Sequence, residues 1–186
     1  MKKAAIITAR FNSSRFPGKI LKTIINKKKS IDILIERARK INLPIILATS
    51  NLKSDDQLCS YVKKNHNIFI FRGSSINKIL RWHECFKRFK IQKACLIDGD
   101  DLCFDYKLYK KNIRTSSDDK IITYPKNIIT GIFTHILRIE CLEKIVSITK
   151  KKQDTEMIDP YLNNTKLKKR IIKVPKIYLN KKIRIT

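Results

Sequence analysis

Four short apolar runs, each followed by a segment with helical spacing, constrain the fold of this chain more than any other feature. The runs cover residues 4–7, 45–48, 68–71 and 94–97. Each is apolar throughout, which is typical of strands that are buried on both faces. Strands of this kind alternating with helices predict an α/β fold whose mostly parallel sheet is covered by helices on both faces.

The segments between the runs predict the helices. Ser30 is the predicted N-cap of the first helix, with Asp32 in its first turn, and a second helix is predicted from Ser54. The third helix follows Arg72 to Ser75. Its predicted buried stripe leaves Arg81 and Trp82 to one side and consists of Ile76, Ile79, Leu80, His83, Phe86 and Phe89.

The pattern is looser after Asp105. It predicts helices at about 107–114 and 142–149, and strands at 121–124, 132–137, 171–174 and 183–186. No second domain is indicated, so residues 1–186 are predicted to form one domain.

The composition limits the class of protein. No apolar run approaches the roughly 20 residues needed to span a bilayer, so no stable membrane insertion is expected. The apolar stretch before Arg10 is too short for a secretory signal, which makes the cytoplasm the expected compartment. Five cysteines without a C-x-x-C pair and three histidines without metal spacing indicate free thiols and packed histidines.

The net charge of +26 has two explanations. It could indicate binding to nucleic acid, or it could reflect a coding bias towards lysine, isoleucine and asparagine. The lysines are spread along the chain, and neither an RNA-recognition aromatic motif nor a zinc-finger spacing is present. We therefore expect no nucleic-acid partner, although the positive field would attract anionic substrates.

The basic loop, residues 9–19, directly follows the first apolar run. It contains Arg10, Arg15 and Lys19 together with a small polar pair, Ser13 and Ser14. Cations and free backbone N–H groups just past a strand are suited to a polyphosphate, and the Pro17-Gly18 turn lets the backbone approach it. The alternative interpretation is a solvated loop in a lysine-rich protein.

The acidic loop, residues 98–101, follows the fourth run and reads Asp-Gly-Asp-Asp. It lies at the carboxyl end of a strand, where open α/β sheets bind ligands. Clustered carboxylates repel each other unless a cation lies among them, and Mg²⁺ takes oxygen ligands of this type. The alternative is an acidic turn that caps the next helix. A metal site at Asp98 and Asp100 is the hypothesis.

The two loops, with other short motifs in order, resemble the cytidylyltransferases that activate sugar acids. The basic loop fits the pattern A-R-x-x-S-S-R-x-P-G-K throughout. The resemblance spans nearly the whole chain, and its further motifs are Leu47-Ala48-Thr49-Ser50, Arg72-Gly73-Ser74 with Arg81-Trp82, Asp98-Gly99-Asp100-Asp101 with Asp105, Thr130-Gly131, Glu156 and Arg184-Ile185-Thr186.

The resemblance implies a three-layer α/β/α nucleotide-diphospho-sugar transferase fold and transfer of CMP from CTP to a sugar acid with Mg²⁺. Homodimers are common in such families. The implied catalytic residues are Arg10, Arg15, Lys19 and Asp100, with Asp98 as an inferred further metal ligand. Arg81 is expected to pair with a substrate carboxylate or with Asp105. The implied substrate-binding residues are Ala9, Ser13, Ser14, Gly18, Thr49, Arg72, Gly73, Ser74, Asn77 and Arg81.

Two departures from the family pattern keep an alternative open. The late motif R-[IL]-T-x-D carries a metal-binding aspartate, whereas this sequence ends at Thr186, short of that position. Asn77 stands where relatives commonly have an acid. Truncation, substitution by Asp98 and loss of activity all remain consistent with these departures. The alternative function is therefore a catalytically impaired relative that binds a nucleotide or a partner.

Overall fold

The computed structural model describes residues 1–12, 16–150, 152–180 and 182–185. Its first half alternates strands and helices as the apolar runs predict. The strands are β1 (Lys3–Thr8), β2 (Thr23–Ile25), β3 (Lys28–Lys29), β4 (Ile45–Ser50), β5 (Phe69–Gly73) and β6 (Lys93–Asp98). The helices are α1 (Ser30–Arg39), α2 (Asp56–Asn65) and α3 (Lys78–Arg88).

The second half adds shorter elements. They are α4 (Tyr106–Ile113), β7 (Ile121–Thr123), β8 (His135–Arg138), α5 (Ile139–Val146), α6 (Asp159–Asn164) and β9 (Lys169–Ile171). The strand predicted at 183–186 is wrong within the described residues, because only Arg184 there forms a bridge, to Thr130. Neither α6 nor the β2–β3 hairpin was predicted.

Seven strands form one sheet in the order β5-β4-β1-β6-β8-β7-β9. Neighbours from β5 to β6 are parallel, whereas β8 runs antiparallel to both β6 and β7. β7 and β9 are again parallel. The sheet is thus mostly parallel, as predicted.

Two apolar clusters, one on each face, complete a three-layer α/β/α architecture. One cluster packs α1, α2 and α4 against the sheet, with Ile7, Leu34 and Leu58 among its buried members. The other packs α3, α5 and α6 against the opposite face, around Trp82 and Leu142. Strands enclosed in this way are shielded on both sides, which explains why their sequences lack polar alternation.

The buried stripe predicted for α3 is wrong in part. Trp82 and Arg81 are among the most deeply buried side chains of the chain, whereas Ile76 is half exposed. Burial is possible because Trp82 Nε1 donates to Thr8 Oγ1 at 2.7 Å and Arg81 Nη1 donates to the Ser74 carbonyl at 2.7 Å. Polar groups can be buried when they are hydrogen-bonded, and hydropathy does not report this.

The predicted cap of the first helix is displaced by one residue. Ser30 is the first helical residue, and Lys29 occupies the N-cap position. The Asp32 carboxylate accepts the Lys29 backbone N–H at 2.7 Å and so satisfies a free donor at the helix start. Across the described residues, no helix has the length and hydropathy required to cross a membrane.

The interior strand β1 should contribute strongly to stability. Ile7→Ala, in the middle of the sheet, should lower the free energy of unfolding by about 2–5 kcal/mol, because it removes buried methyl groups and leaves a cavity. Ile177→Ala makes the same type of change at a side chain that is 79% exposed, and it should change stability by less than about 0.5 kcal/mol. Urea denaturation measures both; equal effects would contradict the assignment of β1 to the core.

Candidate functional site

The carboxyl ends of β1, β4, β5 and β6 meet at one edge of the sheet. These four strands are parallel neighbours, and Thr8 at the end of β1 pairs in register with Asp98 at the end of β6. The basic loop leaves β1 and the acidic loop leaves β6 at this edge. The two loops are therefore adjacent because of the strand register. Ligand sites of open α/β sheets lie at such an edge.

Gly99 brings the acidic loop into contact with the start of the basic loop. Its N–H donates to the Thr8 carbonyl at 2.9 Å. A Cβ at position 99 would lie 2.9 Å from both the Thr8 oxygen and Ala9 Cβ, which is closer than side-chain atoms pack. Ala9, predicted to bind substrate, is buried at this contact. The approach of the loops thus depends on glycine.

Buried Asp55 anchors the basic loop. Its Oδ1 accepts the Phe11 N–H at 2.5 Å, and its Oδ2 accepts Thr49 Oγ1 and the Ser50 N–H, each at 2.9 Å, as well as the Ser50 hydroxyl. Thr49, predicted to contact substrate, is fully buried beneath the loop and holds Asp55 instead. The sequence analysis predicted only that a helix begins near this residue, at Ser54.

A second anchor closes the loop at Gly18. Gly18 has a φ of +74°, and its N–H donates to the Phe11 carbonyl at 2.7 Å. This left-handed conformation is one that glycine adopts without a steric cost. Three predicted site residues between the two anchors, Ser13, Ser14 and Arg15, lie outside the described residues.

Lys19 and Asp100 lie side by side. Lys19 Nζ is 3.3 Å from Asp100 Oδ2, and both side chains are about one-third exposed. Arg10 points towards the start of α3, where its Nη1 donates to the Ser75 carbonyl at 2.6 Å and its Nη2 lies 3.4 Å from Glu156 Oε2. The structure thus brings a predicted phosphate-binding cation to the predicted metal carboxylate.

Asp98, the other predicted metal ligand, faces a lysine that the sequence analysis missed. Lys78 Nζ lies 2.7 Å from Asp98 Oδ1, and the Lys78 side chain is almost fully buried. Its position could have been recognised, because residues 78, 82 and 85 recur at helical spacing on the buried face of α3. A lysine on the otherwise apolar, buried face of a helix indicates that an acidic group lies opposite it.

Asp101 is the most buried acid of the acidic loop. Thr134 Oγ1 donates to its Oδ2 at 3.0 Å. Burial, followed by the charges of Asp98 and Asp100, raises the pKa of Asp101 to about 7. The carboxyl is therefore partly protonated at neutral pH, whereas an exposed aspartate would be fully ionised.

Two cavities adjoin each other at Asp100 and Arg184, which line both. The larger, of about 570 Å³, extends from Lys78 and the acidic loop past Gly131 to Glu156. The smaller, of about 450 Å³, lies beside Lys19 and is bordered by Phe16, Lys22, Ile24 and Leu102. Cavities of this size are typical of small-molecule sites.

Residues predicted from the end of β5 form internal contacts. Arg72 donates to Asp56 and to the carbonyls of Ser50 and Leu52, at 2.6–3.0 Å, and so joins the ends of β4 and β5. Gly73 is buried beneath the side chains of Phe71 and Arg81. These contacts are internal to the chain and support the turn between β5 and α3.

The next two predicted residues support α3. Ser74 Oγ accepts the Asn77 N–H, and Asn77 Oδ1 caps α3 by accepting the Leu80 N–H at 2.8 Å and Thr155 Oγ1 at 3.0 Å. Arg81 is fully buried, and burial together with the nearby charge of Arg10 lowers its pKa to about 10. Its predicted pairing with Asp105 is wrong, because Asp105 caps α4 and accepts the Tyr178 hydroxyl.

The far wall of the larger cavity contains a cluster that was not predicted. Asp159 accepts the Tyr124 hydroxyl at 2.8 Å and lies 3.3 Å from Nε2 of buried His135. The Tyr124 and His135 rings are stacked at 5.2 Å. His135 had been interpreted only as a packed histidine, and its partner is 24 residues away in sequence, beyond any local pattern.

The donor set of the acidic loop fits a magnesium ion. In the ranges that the structure describes, no three His, Cys, Asp or Glu side chains are grouped as a complete metal site. Asp98 and Asp100 nevertheless both line the larger cavity. Mg²⁺ is commonly held by one or two carboxylates together with substrate phosphates and water, so two acidic side chains are sufficient.

The chain is similar to known proteins over nearly its whole length. The family described as cytidylyltransferase matches residues 4–184. An uncharacterised protein of Methanocaldococcus jannaschii is 28% identical over all of this chain and 78% of its own length. The spore coat polysaccharide biosynthesis protein SpsF of Bacillus subtilis is 28% identical over 86% of this chain and 69% of its own length.

Two solved structures have the same fold. A cytidylyltransferase from Leptospira borgpetersenii serovar Hardjo-bovis superimposes with a TM-score of 0.82 at 23% identity, covering 99% of this chain and 80% of the other. CMP:2-keto-3-deoxy-manno-octonic acid synthetase complexed with CTP gives a TM-score of 0.71 at 15% identity, covering 94% of this chain and 90% of the other.

Asp55 should be essential for the basic loop. Asp55→Ala leaves four buried or partly buried donors without their acceptor and should lower the free energy of unfolding by about 3 kcal/mol or more. Asp56→Ala is the matched control, because its carboxylate is 56% exposed and an exposed ion pair contributes less than about 1 kcal/mol. Thermal and urea unfolding test both, and an Asp55 variant as stable as the control would refute the anchor.

Proposed function

Because the chain belongs to the cytidylyltransferase family, whose members carry out CTP-dependent nucleotidyl transfer, we propose that it transfers CMP from CTP to a sugar acid and releases pyrophosphate. The observation that carries this proposal is the contact of Lys19 with Asp100 at the junction of two cavities. In this proposal Lys19 is the cation that binds phosphate, and Asp100 beside it is the carboxylate that binds the metal. Nucleotidyl transfer needs both groups at the same phosphates.

The basic loop would hold the triphosphate. Charge develops on the departing pyrophosphate, and the cations assigned to neutralise it are Lys19, which contacts Asp100, and Arg10, which contacts Glu156. Arg15 is assigned the same role from the family pattern. Asp55 and the Gly18 turn anchor the two described ends of the loop at Phe11 and Gly18, so these ends need little reorganisation when charge develops.

Mg²⁺ is the proposed cofactor, with Asp100 as its candidate ligand from this chain. When bound, it would neutralise phosphate oxygens and lower the cost of accumulating negative charge. The chain's own contribution is to hold carboxylates at the edge where β1 and β6 end. Asp100 is suited to this role, because it borders both cavities.

The larger cavity would receive the acceptor sugar. Its volume of about 570 Å³ accommodates an eight- or nine-carbon sugar acid. Lys126 and Arg184 line it and supply positive charge for a carboxylate, whereas Thr130, Tyr124 and Asp159 provide groups for hydroxyls. A sugar hydroxyl there would attack the α-phosphate of CTP. The name of the Bacillus relative supports a product used in surface polysaccharide synthesis.

CTP with Mg²⁺ should stabilise the protein selectively. A ligand that binds only the folded state raises the melting temperature, so CTP should increase it more than ATP, GTP or UTP, and only with magnesium present. A thermal-shift panel of the four nucleotides, with and without Mg²⁺, measures this. Equal shifts for all four would contradict CTP specificity. A CTP-induced shift without release of pyrophosphate from CTP, whichever sugar acid is added, would favour the impaired relative.

Turnover should depend on Lys19 and Asp100. Lys19→Ala should lower the rate of pyrophosphate release by about 10²–10³, the usual cost of removing one group that stabilises developing charge. Asp100→Asn should abolish the magnesium-dependent part of turnover. Lys28→Ala removes the same charge from a surface pair with Glu36 and should leave the rate within about twofold. Unchanged turnover in the Asp100 variant would refute its assignment.

A further inference from the structure

Lys78 places a buried positive charge inside the acidic part of the larger cavity. It is the first residue of α3 and only 4% exposed. Its Nζ lies 2.7 Å from Asp98 Oδ1, 4.0 Å from Glu156 Oε1 and 5.0 Å from the centre of the Trp82 ring. An isolated ammonium would be costly at such a site, so these contacts are what keep Lys78 there.

The Asp98 oxygen that faces Lys78 is also buried. Within the described residues, Asp98 Oδ1 accepts no well-directed hydrogen bond, although the Lys78 ammonium lies within hydrogen-bonding distance. The two findings agree if the contact is an ion pair, because Coulomb attraction depends on distance and only weakly on angle. The charge of Asp98 is therefore balanced by a group belonging to the chain itself.

The other carboxylate–lysine pair in the cleft is different. Lys19 is 32% exposed and contacts Asp100 at 3.3 Å, so its side chain can move to a phosphate and leave Asp100 to a cation. Lys78 is 5% exposed in its side chain and packed over Trp82, so it has no comparable freedom. A divalent cation can displace the lysine from Asp100 far more easily than from Asp98.

We propose that Lys78 is a fixed internal cation that holds Asp98 out of the metal site and leaves Asp100 as the carboxylate that binds the divalent ion. The importance of that ion for catalysis rests on the proposed function, but the pairing is a property of the protein without CTP. Lys78 is in this account a positioning residue. Its ammonium takes the place beside Asp98 that a second metal contact would occupy.

The test measures Mn²⁺ binding to the protein without nucleotide. Trp82 is the single tryptophan of the chain, and its indole N–H donates to Thr8 at the end of β1, so quenching of its fluorescence by Mn²⁺ reports on this site. Lys78→Met should tighten Mn²⁺ binding by about tenfold, because Asp98 becomes available as a second carboxylate. Asp100→Asn should weaken binding by about tenfold or more.

The decisive variant combines Lys78→Met with Asp98→Asn. It keeps the net charge of the site and leaves no unpaired buried carboxylate. It can therefore be measured even if the single Lys78→Met variant fails to fold. It should bind Mn²⁺ within about threefold of the unmodified protein, since Asp98 is not a ligand. Lys126→Met removes the same charge from the same cavity and should change affinity less than Lys78→Met does.

Two results would overturn the proposal. The first is a loss of Mn²⁺ affinity of about tenfold or more in the double variant. The second is an Mn²⁺ affinity of the Lys78→Met variant that equals that of the Lys126→Met control. Neither readout uses CTP. If the Mn²⁺ affinities change as expected but CTP gives no selective thermal shift, only the proposed function is contradicted. If CTP gives the selective shift but the Mn²⁺ affinities do not change as expected, only the role of Lys78 is contradicted.

Discussion

The parallel pairing of β1 with β6 is the constraint on which the rest of the site depends. Register places Thr8 opposite Asp98, and the loop that follows each strand must then leave the sheet at the same point. One loop carries cations and the other carries carboxylates. Their charges are brought together by backbone hydrogen bonds within a fully buried part of the sheet, not by the attraction between the loops themselves. Surface ion pairs such as Lys19–Asp100 contribute too little free energy to assemble a site unaided.

Rigid support surrounds this pair. Asp55 binds the start of the basic loop from below, and Gly99 lets the acidic loop lie against Ala9. Several residues that the family pattern assigns to substrate binding, among them Thr49 and Asn77, are engaged in such internal hydrogen bonds. A family motif can therefore reflect the need to hold a loop. Other charged groups face the two cavities: Asp98, Asp100 and Lys78 are among those that line the larger, and Lys19 and Asp100 are among those that line the smaller.

The sequence predicted the strands, which are continuous apolar runs. It did not predict the burial of polar side chains whose hydrogen-bond or ion-pair partners are distant in the chain. All four strands from β1 to β6 that enter the large sheet were predicted from their apolar runs. β1, β4 and β6 are enclosed on both faces and therefore have no polar alternation, whereas the edge strand β5 is apolar in sequence but only partly buried. The error in α3 has a different cause. Trp82, Arg81 and Lys78 are polar or charged groups that become buried only because Thr8, Ser74 and Asp98 lie opposite them. The β2–β3 hairpin was missed because Ile24 and Ile25 are both exposed, so its strands lack a buried face.

The central claim is that one cleft holds the triphosphate between the basic and acidic loops. A crystal structure of the protein with CTP and Mg²⁺ tests it most directly. The account predicts phosphate oxygens within about 3 Å of Lys19 Nζ and a cation bound to a carboxylate oxygen of Asp100. A nucleotide bound elsewhere on the protein, with Lys19 and Asp100 still paired as in the free chain, would contradict it.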